Sequence, residues 1–451
     1  MVFRLYWKQK KRKGYIMKKA MVFGAGVSGL GAEHLLENMG YEVILVDDKK
    51  GISSKDGMEY LDEIEIFVKS PGVPYNELVM KVKEKKIKLI DEIELSYEYM
   101  LQYEIKSKII AVTGTNGKTT TTSKITELLQ YAGFKAEYAG NIGVSFAEVL
   151  LKYKDLDYIV LELSSYQLEN LLDFKPWITM VINLTPDHLS RYKDTEDYYK
   201  TKFNIGKNQT ERDYFIFNLD SKEVVEREKF IFGKKIKISQ NITKECDFWV
   251  ENGKLYGKDG EILECGKLSL KGKHNLENIL FIVATAKIIG IQNEKIREFL
   301  YNTGTIEHRM EDFFNYGKIK FINDSKGTNI DSTKFAVEAF DQCVLICGGF
   351  DKKLDWSPLA ELIKIHAKET YLIGETADEI NRILLEKGYD SSKIFLLRDL
   401  RSCLLNMKER LNPEKAQVIL LSPATSSFDQ FNSYEHRGEV FKELVREIFG
   451  R

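Results

Sequence analysis

The sequence predicts an α/β protein of several domains, built on mostly parallel sheets. Three observations carry that reading. The chain has 451 residues, too many for one hydrophobic core. Apolar runs of strand length alternate with helical segments along nearly all of it. Polar clusters follow the apolar runs, where open α/β sheets bind their ligands.

From Lys19 to about Glu104 the pattern is strand–helix–strand. Strands are expected at Ala20–Gly24, Val43–Asp47 and Ile64–Lys69, with a helix around Gly29–Met39. A second unit begins around Ile105–Lys108 and continues through strands Tyr158–Leu163 and Ile178–Leu184. Short alternating strands and turns fill Tyr214–Leu270, and Lys271–Gly290 reads as a helix. A third unit starts near Gly317, with strands at Ile319–Asn323, Val344–Cys347, Tyr371–Gly374, Lys393–Leu396 and Val418–Leu421.

Composition excludes several classes. Hydrophobic residues make up 43% and charged residues 30%, ordinary for a globular protein. A net charge of -1 gives no electrostatic case for nucleic acid or a membrane surface. No segment approaches the ~20 apolar residues of a membrane span. Cys246, Cys265, Cys343, Cys347 and Cys403 are scattered, a poor zinc pattern that suits a reducing cytoplasm. Residues 1–16 are basic and are read as a disordered tail, or as lying upstream of a functional start at Met17.

The strongest local signal is Ile110–Thr120. A buried strand runs into Gly114-Thr115-Asn116-Gly117-Lys118-Thr119-Thr120, which opens a helix. Such a turn aims backbone N–H groups and a helix N-terminus at one spot, an arrangement that favours phosphate. Lys118 adds a compact positive charge, and Thr119 offers a hydroxyl to Mg²⁺. A bare strand–turn–helix with a solvated lysine is the alternative. Gly24-Ala25-Gly26-Val27-Ser28-Gly29 is a G-x-G-x-x-G turn, with Asp47 and Asp48 about 20 residues on. It would hold NAD or another diphosphate. The separate loop at Lys118 favours a nucleotide-diphosphate substrate over NAD.

Other polar clusters end strands. Glu162, in Glu162–Glu169, is placed to ligate Mg²⁺ beside a phosphate loop. Asp187-His188 follows Val181–Leu184, and His188 is expected to ligate metal or touch substrate. Asn323–Asn329 follows another strand and suits carboxylate or ribose recognition, Gly348–Lys353 and Ser422–Phe431 follow two more and suit an anionic second substrate, and His308-Arg309 could place a guanidinium on a phosphate. By pattern alone Lys202 is one lysine among many.

These strings together resemble the Mur ligase family, over the whole chain from about Met17. G-T-N-G-K-T-T is shared with sister ligases, including folylpolyglutamate synthases. E-L-S-S-Y-Q-L-E (Glu162–Glu169), Asn323–Thr328 and L-S-P-A-T-S-S-F-D-Q-F (Leu421–Phe431) point to the branch that adds D-glutamate to UDP-N-acetylmuramoyl-L-alanine. The resemblance implies a Rossmann-like domain for the UDP substrate (17–106), a central P-loop-type ATPase domain (107–313) and a Rossmann-like C-terminal domain for the amino acid (314–451). It implies ATP-dependent amide formation through an acyl phosphate, by a cytoplasmic monomer in peptidoglycan precursor synthesis, and so in cell-wall growth, cell shape and division.

Residue by residue, the resemblance assigns Val27, Ser28, Asp48, Lys49, Ser70, Gly72 and Asn141 to the UDP substrate. Gly114 through Thr120, with Asn275, Asn278, Arg309 and Asp324, would bind ATP. Two Mg²⁺ would be held by Thr119, Glu162, His188 and Lys202, the last as a CO₂-derived carbamate. Carbamylation would turn a repelling ammonium into an oxygen ligand. His188, Lys326, Thr328, Lys352, Ser427 and Tyr434 would hold D-glutamate. Lys118, Glu162, His188 and Lys202 are thus the catalytic set. Ser190, Gly327 and Thr425 depart from the family pattern, and the register around Asp351 and Lys352 is open by one residue. Competing readings are a folylpolyglutamate-type ligase, an NAD oxidoreductase and a non-catalytic nucleotide-binding protein.

Overall fold

The structure is a computed structural model and describes residues 18–187, 191–241, 245–304, 307–352 and 354–450, without the side chain of residue 331. The basic tail, Met17, His188, Ser190 and Lys353 lie outside the described residues. The chain forms two compact units. The first runs to Leu268 and includes Asn275–Asn302; the second comprises Ser269–His274 and the chain from Thr303 onward.

The first unit holds two sheets. The N-terminal module has β1 (Lys19–Phe23), β2 (Glu42–Val46), β3 (Ile64–Lys69) and β4 (Lys88–Ile90), in parallel order β2-β1-β3-β4. Its helices include α1 (Val27–Met39) and α2 (Glu92–Gln102). The central module has nine strands: β5 (Lys108–Thr113), β6 (Ala136–Gly140), β7 (Tyr158–Glu162), β8 (Ile178–Val181), β9 (Tyr214–Asn218), β10 (Lys234–Ser239), β11 (Phe248–Glu251), β12 (Lys254–Gly257) and β13 (Gly260–Glu264). Their order is β13-β12-β11-β10-β9-β8-β5-β7-β6, parallel except for the β11–β12–β13 meander. Four helices here matter below: α3 (Lys118–Tyr131), α4 (Phe146–Lys152), α5 (Thr195–Phe203) and α6 (Lys273–Ile289).

The second unit has β14 (Glu311–Tyr316), β15 (Ile319–Asn323), β16 (Cys343–Gly348), β17 (Ala367–Ile373), β18 (Ile394–Arg398) and β19 (Gln417–Leu421), in order β14-β15-β19-β16-β17-β18. Only β14 is antiparallel. Trp356 and Tyr371 are among its largest fully buried side chains, and α7 (Tyr434–Phe449) closes the chain.

The periodicities of the sequence recover β3 and β15 to the residue. Three strands had no reading of their own: β4, β6 and β14. β4 has only three residues, and β6 reads Ala-Glu-Tyr-Ala-Gly, with no apolar run to mark it. The central strands β5, β7 and β8 are largely apolar and buried, as strands of a parallel sheet covered on both faces are.

One hydrophobic core runs through both modules of the first unit. Leu35 and Leu36 of α1, Ile93 and Leu95 of α2, and Phe146, Val149 and Leu150 of α4 belong to it with Ile109, Ile159 and Leu161 of the central sheet. Polar anchors reinforce the joint. Asp91 caps α2, its Oδ1 accepting from Glu94 N at 3.0 Å. Glu92 Oε1 accepts from Ala147 N at 2.6 Å, at the start of α4. Glu94 accepts from the amides of Leu172, Asp173 and Phe174 at 2.8, 2.8 and 3.0 Å. A hydrophobic joint with hydrogen-bonded polar anchors fixes the two modules as one body.

Asp91 and Glu92 are wholly buried, and desolvation pushes their carboxyls up to about 8 and about 7. Among the described residues, Asp91 Oδ2 has no hydrogen-bond partner. A carboxyl raised above its unfolded value near 4 favours folding while protonated, and that advantage is lost as pH rises through the folded value. Asp91→Asn keeps a capping oxygen and carries no charge. Its denaturant midpoint should exceed that of the parent at pH 8, by a stability on the order of 1–3 kcal/mol. The difference should shrink as pH falls and close only at about pH 4, where the unfolded carboxyl is protonated as well.

Candidate active site

The glycine-rich turn after β5 brings its backbone to the mouth of the central sheet. Gly114 has φ of 148° and Gly117 φ of 83°, conformations that side chains with a Cβ resist. Gly117 caps α3, leaving the first amides of that helix facing the turn. A Cβ at Gly117 would lie 2.3 Å from Asn278 Oδ1, so the glycine also lets α6 approach.

Two lysines converge on this turn. Lys118 Nζ donates to the carbonyls of Gly114 (3.0 Å) and Thr115 (2.9 Å). Lys202, from the last turn of α5, donates to the same Gly114 oxygen at 2.9 Å. Burial, then the charge of Lys118, holds the Lys202 amine well below the usual lysine range. Glu162, at the end of β7 and 2% exposed, faces them. Its Oε2 accepts from Thr119 Oγ1 at 2.7 Å and its Oε1 from Asn141 Nδ2 at 2.9 Å. The structure thus gathers Gly114, Thr115, Lys118, Thr119, Asn141, Glu162 and Lys202 in one place. Thr120 is buried within α3.

Asn275 and Asn278, one turn apart on α6, are buried beside the same loop. Asn278 Oδ1 accepts from Thr121 Oγ1 at 3.4 Å, and its Nδ2 reaches Asn275 Oδ1 at 3.4 Å. Asn183 was missed by sequence reasoning. Its Oδ1 accepts from Asn116 N at 2.9 Å and its carbonyl from Thr115 N at 3.0 Å, pinning the turn to the end of β8. The available signal was a lone amide closing the apolar run Val181–Leu184.

A cavity of about 420 Å³ opens at the G-x-G-x-x-G turn. Val27, Ser28, Ser70 and Gly72 line it from the N-terminal module, with Asn141 and Gln167 from the central one. Gln167 was not singled out in the sequence. Ser70 Oγ donates to Gly24 O at 2.9 Å and braces the turn. A Cβ at Gly29 would sit 1.7 Å from that carbonyl, which explains the third glycine. Asp47 rather than Asp48 lines the cavity. Asp47 accepts from the amides of Ala25, Lys49 and Lys50, and these bonds hold its carboxyl below the usual range. Asp48 and Lys49 are exposed and do not line it.

The second unit gathers its own cluster. Lys326 Nζ donates to the Tyr434 hydroxyl at 3.0 Å, and Lys352 Nζ to Thr328 O at 3.0 Å. Ser427 is buried nearby in sequence to Thr425, whose hydroxyl donates to Phe350 O at 2.7 Å. Asp324 is buried, its carboxyl raised to about 6 by burial, and accepts from Ser422 Oγ (2.7 Å) and Met310 N (3.2 Å). The half-buried Arg309 guanidinium acts on it electrostatically. Arg437 went unnoticed in the sequence. It is fully buried and drawn down to about 9 by desolvation. It donates to Ser325 Oγ and to the carbonyls of Ser325 and Thr425, so it ties two of the strand-end clusters together.

Comparison with known proteins agrees with this geometry. The Mur ligase middle domain family matches residues 112–286. A UDP-N-acetylmuramoylalanine–D-glutamate ligase of Fusobacterium nucleatum is 56% identical over 434 residues, covering 96% of this chain and all of that protein. The ligase of the same name from Natranaerobius thermophilus is 35% identical, over 96% of this chain and 98% of its own. Among solved structures, the MurF ligase of Thermotoga maritima in complex with ADP shares the fold, with a TM-score of 0.59 and 16% identity over 87% of this chain and 92% of that one.

Gly117→Ala should strain the turn and collide with Asn278. The expected loss is about 1–3 kcal/mol of folding stability, read by denaturant unfolding. The change from Gly26→Ala, where an added Cβ meets nothing within 4 Å, should be much smaller.

Proposed function

Because the chain belongs to the Mur ligase family, we propose that it joins D-glutamate to UDP-N-acetylmuramoyl-L-alanine with ATP, in peptidoglycan precursor synthesis. The observation that carries this reading is full-length identity of 56% to a ligase of that name. It is supported by the meeting of a glycine-rich turn, Glu162 and Lys202 in one module that also borders the 420 Å³ cavity. The MurF neighbour was solved in complex with ADP, which accords with the use of ATP proposed for this chain.

We assign residues 17–106 to the UDP substrate, 107–313 to ATP and 314–451 to the amino acid, in a monomer working in the cytoplasm. No helix among the described residues is long and apolar enough to cross a membrane. Val27, Ser28, Ser70, Gly72 and Asn141 would bind the UDP substrate, with Asp48 and Lys49 at its rim. Asn275, Asn278, Arg309 and Asp324 would complete the ATP site. Lys326, Thr328, Lys352, Ser427 and Tyr434 would hold D-glutamate.

In the reaction, a carboxylate oxygen of the UDP substrate attacks the γ-phosphorus of ATP, and ADP leaves. The amine of D-glutamate then attacks the acyl carbon of the resulting acyl phosphate. The tetrahedral intermediate loses a proton and expels phosphate to give the amide. Activation is needed because oxide is too poor a leaving group. The protein's part is positioning and charge stabilisation. Lys118 would exchange its loop carbonyls for phosphoryl oxygens. Hydroxyl, carboxylate and carbamate oxygens suit a hard cation, so Thr119, Glu162, His188 and Lys202 would hold two Mg²⁺, whose charge offsets that of the phosphoryl group. His188 would also contact D-glutamate or the intermediate.

Lys202 is suited to carbamylation by its surroundings. Burial beside Lys118 favours the neutral amine, the form that attacks CO₂ to make an N–C bond and release a proton. With ¹³C-bicarbonate, a carbamate carbon signal should appear in the parent and vanish in Lys202→Met. Its presence in both would place the modification elsewhere.

Phosphate release should require the UDP substrate and D-glutamate together, with L-glutamate and L-lysine inert. Lys118→Ala should remove turnover while leaving the thermal midpoint nearly unchanged. Release with another amino acid would keep the family chemistry and overturn the substrate.

A further inference from the structure

A single carboxylate stands between two cations where the N-terminal and central modules meet. Glu169 Oε1 accepts from Arg191 Nε at 3.0 Å and Oε2 from Arg191 Nη2 at 2.9 Å, a two-pronged fork. On its other side Lys69 Nζ lies 3.6 Å from Oε2. The side chains of Lys69, Glu169 and Arg191 are 1%, 9% and 16% exposed. Lys69 also donates to Ser70 O at 3.3 Å. Arg191 stacks 4.5 Å from the centre of the Tyr166 ring, and the Tyr75 hydroxyl donates to Asn170 Oδ1 at 3.0 Å.

Another carboxyl acts on Lys69, that of Asp91, but its burial leaves it mostly protonated at neutral pH. Two cations therefore share one charged carboxylate in a medium that screens poorly. The chain positions of these groups matter. Lys69 ends β3 and precedes Ser70, a wall of the 420 Å³ cavity. Glu169 directly follows the short helical turn Ser165–Leu168, which contains Gln167, the facing wall. The cavity draws its walls from two modules, so its width is fixed only where those modules are held together.

We propose that Glu169 is a positioning residue for the sugar-nucleotide cavity, tying the Ser70–Val73 wall, through Lys69, to the Gln167 wall of the central module. The identity of the ligand rests on the function proposed above; the tie itself does not. Burial already draws the Lys69 amine down to about 8, and Glu169 opposes that shift. Replacing the carboxylate by an amide removes the one charge that both cations share, so Lys69 sheds its proton more readily and the Lys69–Glu169–Arg191 link is lost. The walls then separate, and the substrate must close them again on binding.

The test compares the parent with Glu169→Gln, Glu169→Asp and Lys69→Met. Steady-state kinetics are measured in the UDP substrate and in ATP, and hydrogen–deuterium exchange is followed in the ligand-free proteins. In Glu169→Gln the KM for the UDP substrate should rise at least tenfold, with the KM for ATP within twofold, and exchange should increase over residues 70–76. Glu169→Asp, which keeps the charge, should recover most of both. Lys69→Met, which leaves the Arg191 fork in place, should move the same KM in the same direction and reads the tie should Glu169→Gln not fold. A lower thermal midpoint or kcat with unchanged KM for the UDP substrate would overturn the proposal, as would unchanged exchange at 70–76. Failure of the parent to turn over the UDP substrate would instead count against the proposed function, and exchange would still decide the tie.

Discussion

The Gly114 carbonyl oxygen accepts from two lysines at once, and the site of the central module is organised around that crowding. Burial first, and then the positive charge of Lys118, lower the proton affinity of Lys202. Oxygen-rich neighbours must surround both lysines. Glu162 at the end of β7 and Asp187 beyond β8 supply negative charge toward Lys202, and the turn itself supplies carbonyls. Parallel strands whose carboxyl ends lie side by side are what allow three separate stretches of sequence to answer one local excess of charge. An incoming polyphosphate would relieve it directly.

Much of this was readable before any coordinates. The turn at Gly114–Thr120 announced itself through glycines and a lysine between an apolar strand and a helix, and Glu162 through its place at the end of another strand. Lys202 had no such signal. It sits in an ordinary helix among other lysines, and only its burial on folding separates it from them. Asp47 and Asp48 illustrate the limit of spacing arguments. The two neighbours satisfy the same interval from the glycines, and the pleat and turn after β2 decide which one faces Ala25. Arg437 was silent because its partners are backbone carbonyls of segments more than a hundred residues and a dozen residues away.

The two units differ in how their sites are built. In the first, a shared hydrophobic core and buried carboxyls fix the walls of the cavity before any ligand arrives. In the second, the cluster around Lys326 and Lys352 is held by lysines reaching a tyrosine hydroxyl and a backbone carbonyl. Those bonds are exchangeable. A carboxylate ligand can replace either acceptor with a stronger, charge-assisted one, so this cluster is suited to reorganise on binding where the first is suited to stay.

The three amide bonds accepted by Glu94 have a consequence for how such a joint changes over evolutionary time. Glu94 reads the backbone of Leu172, Asp173 and Phe174, not their side chains, and Leu172 is 46% exposed. Substitutions at 172 other than proline leave every one of those bonds intact, whereas almost any change at 94 removes all three. The burden of keeping two modules aligned therefore falls on one side of the seam, and the other side is left open to drift.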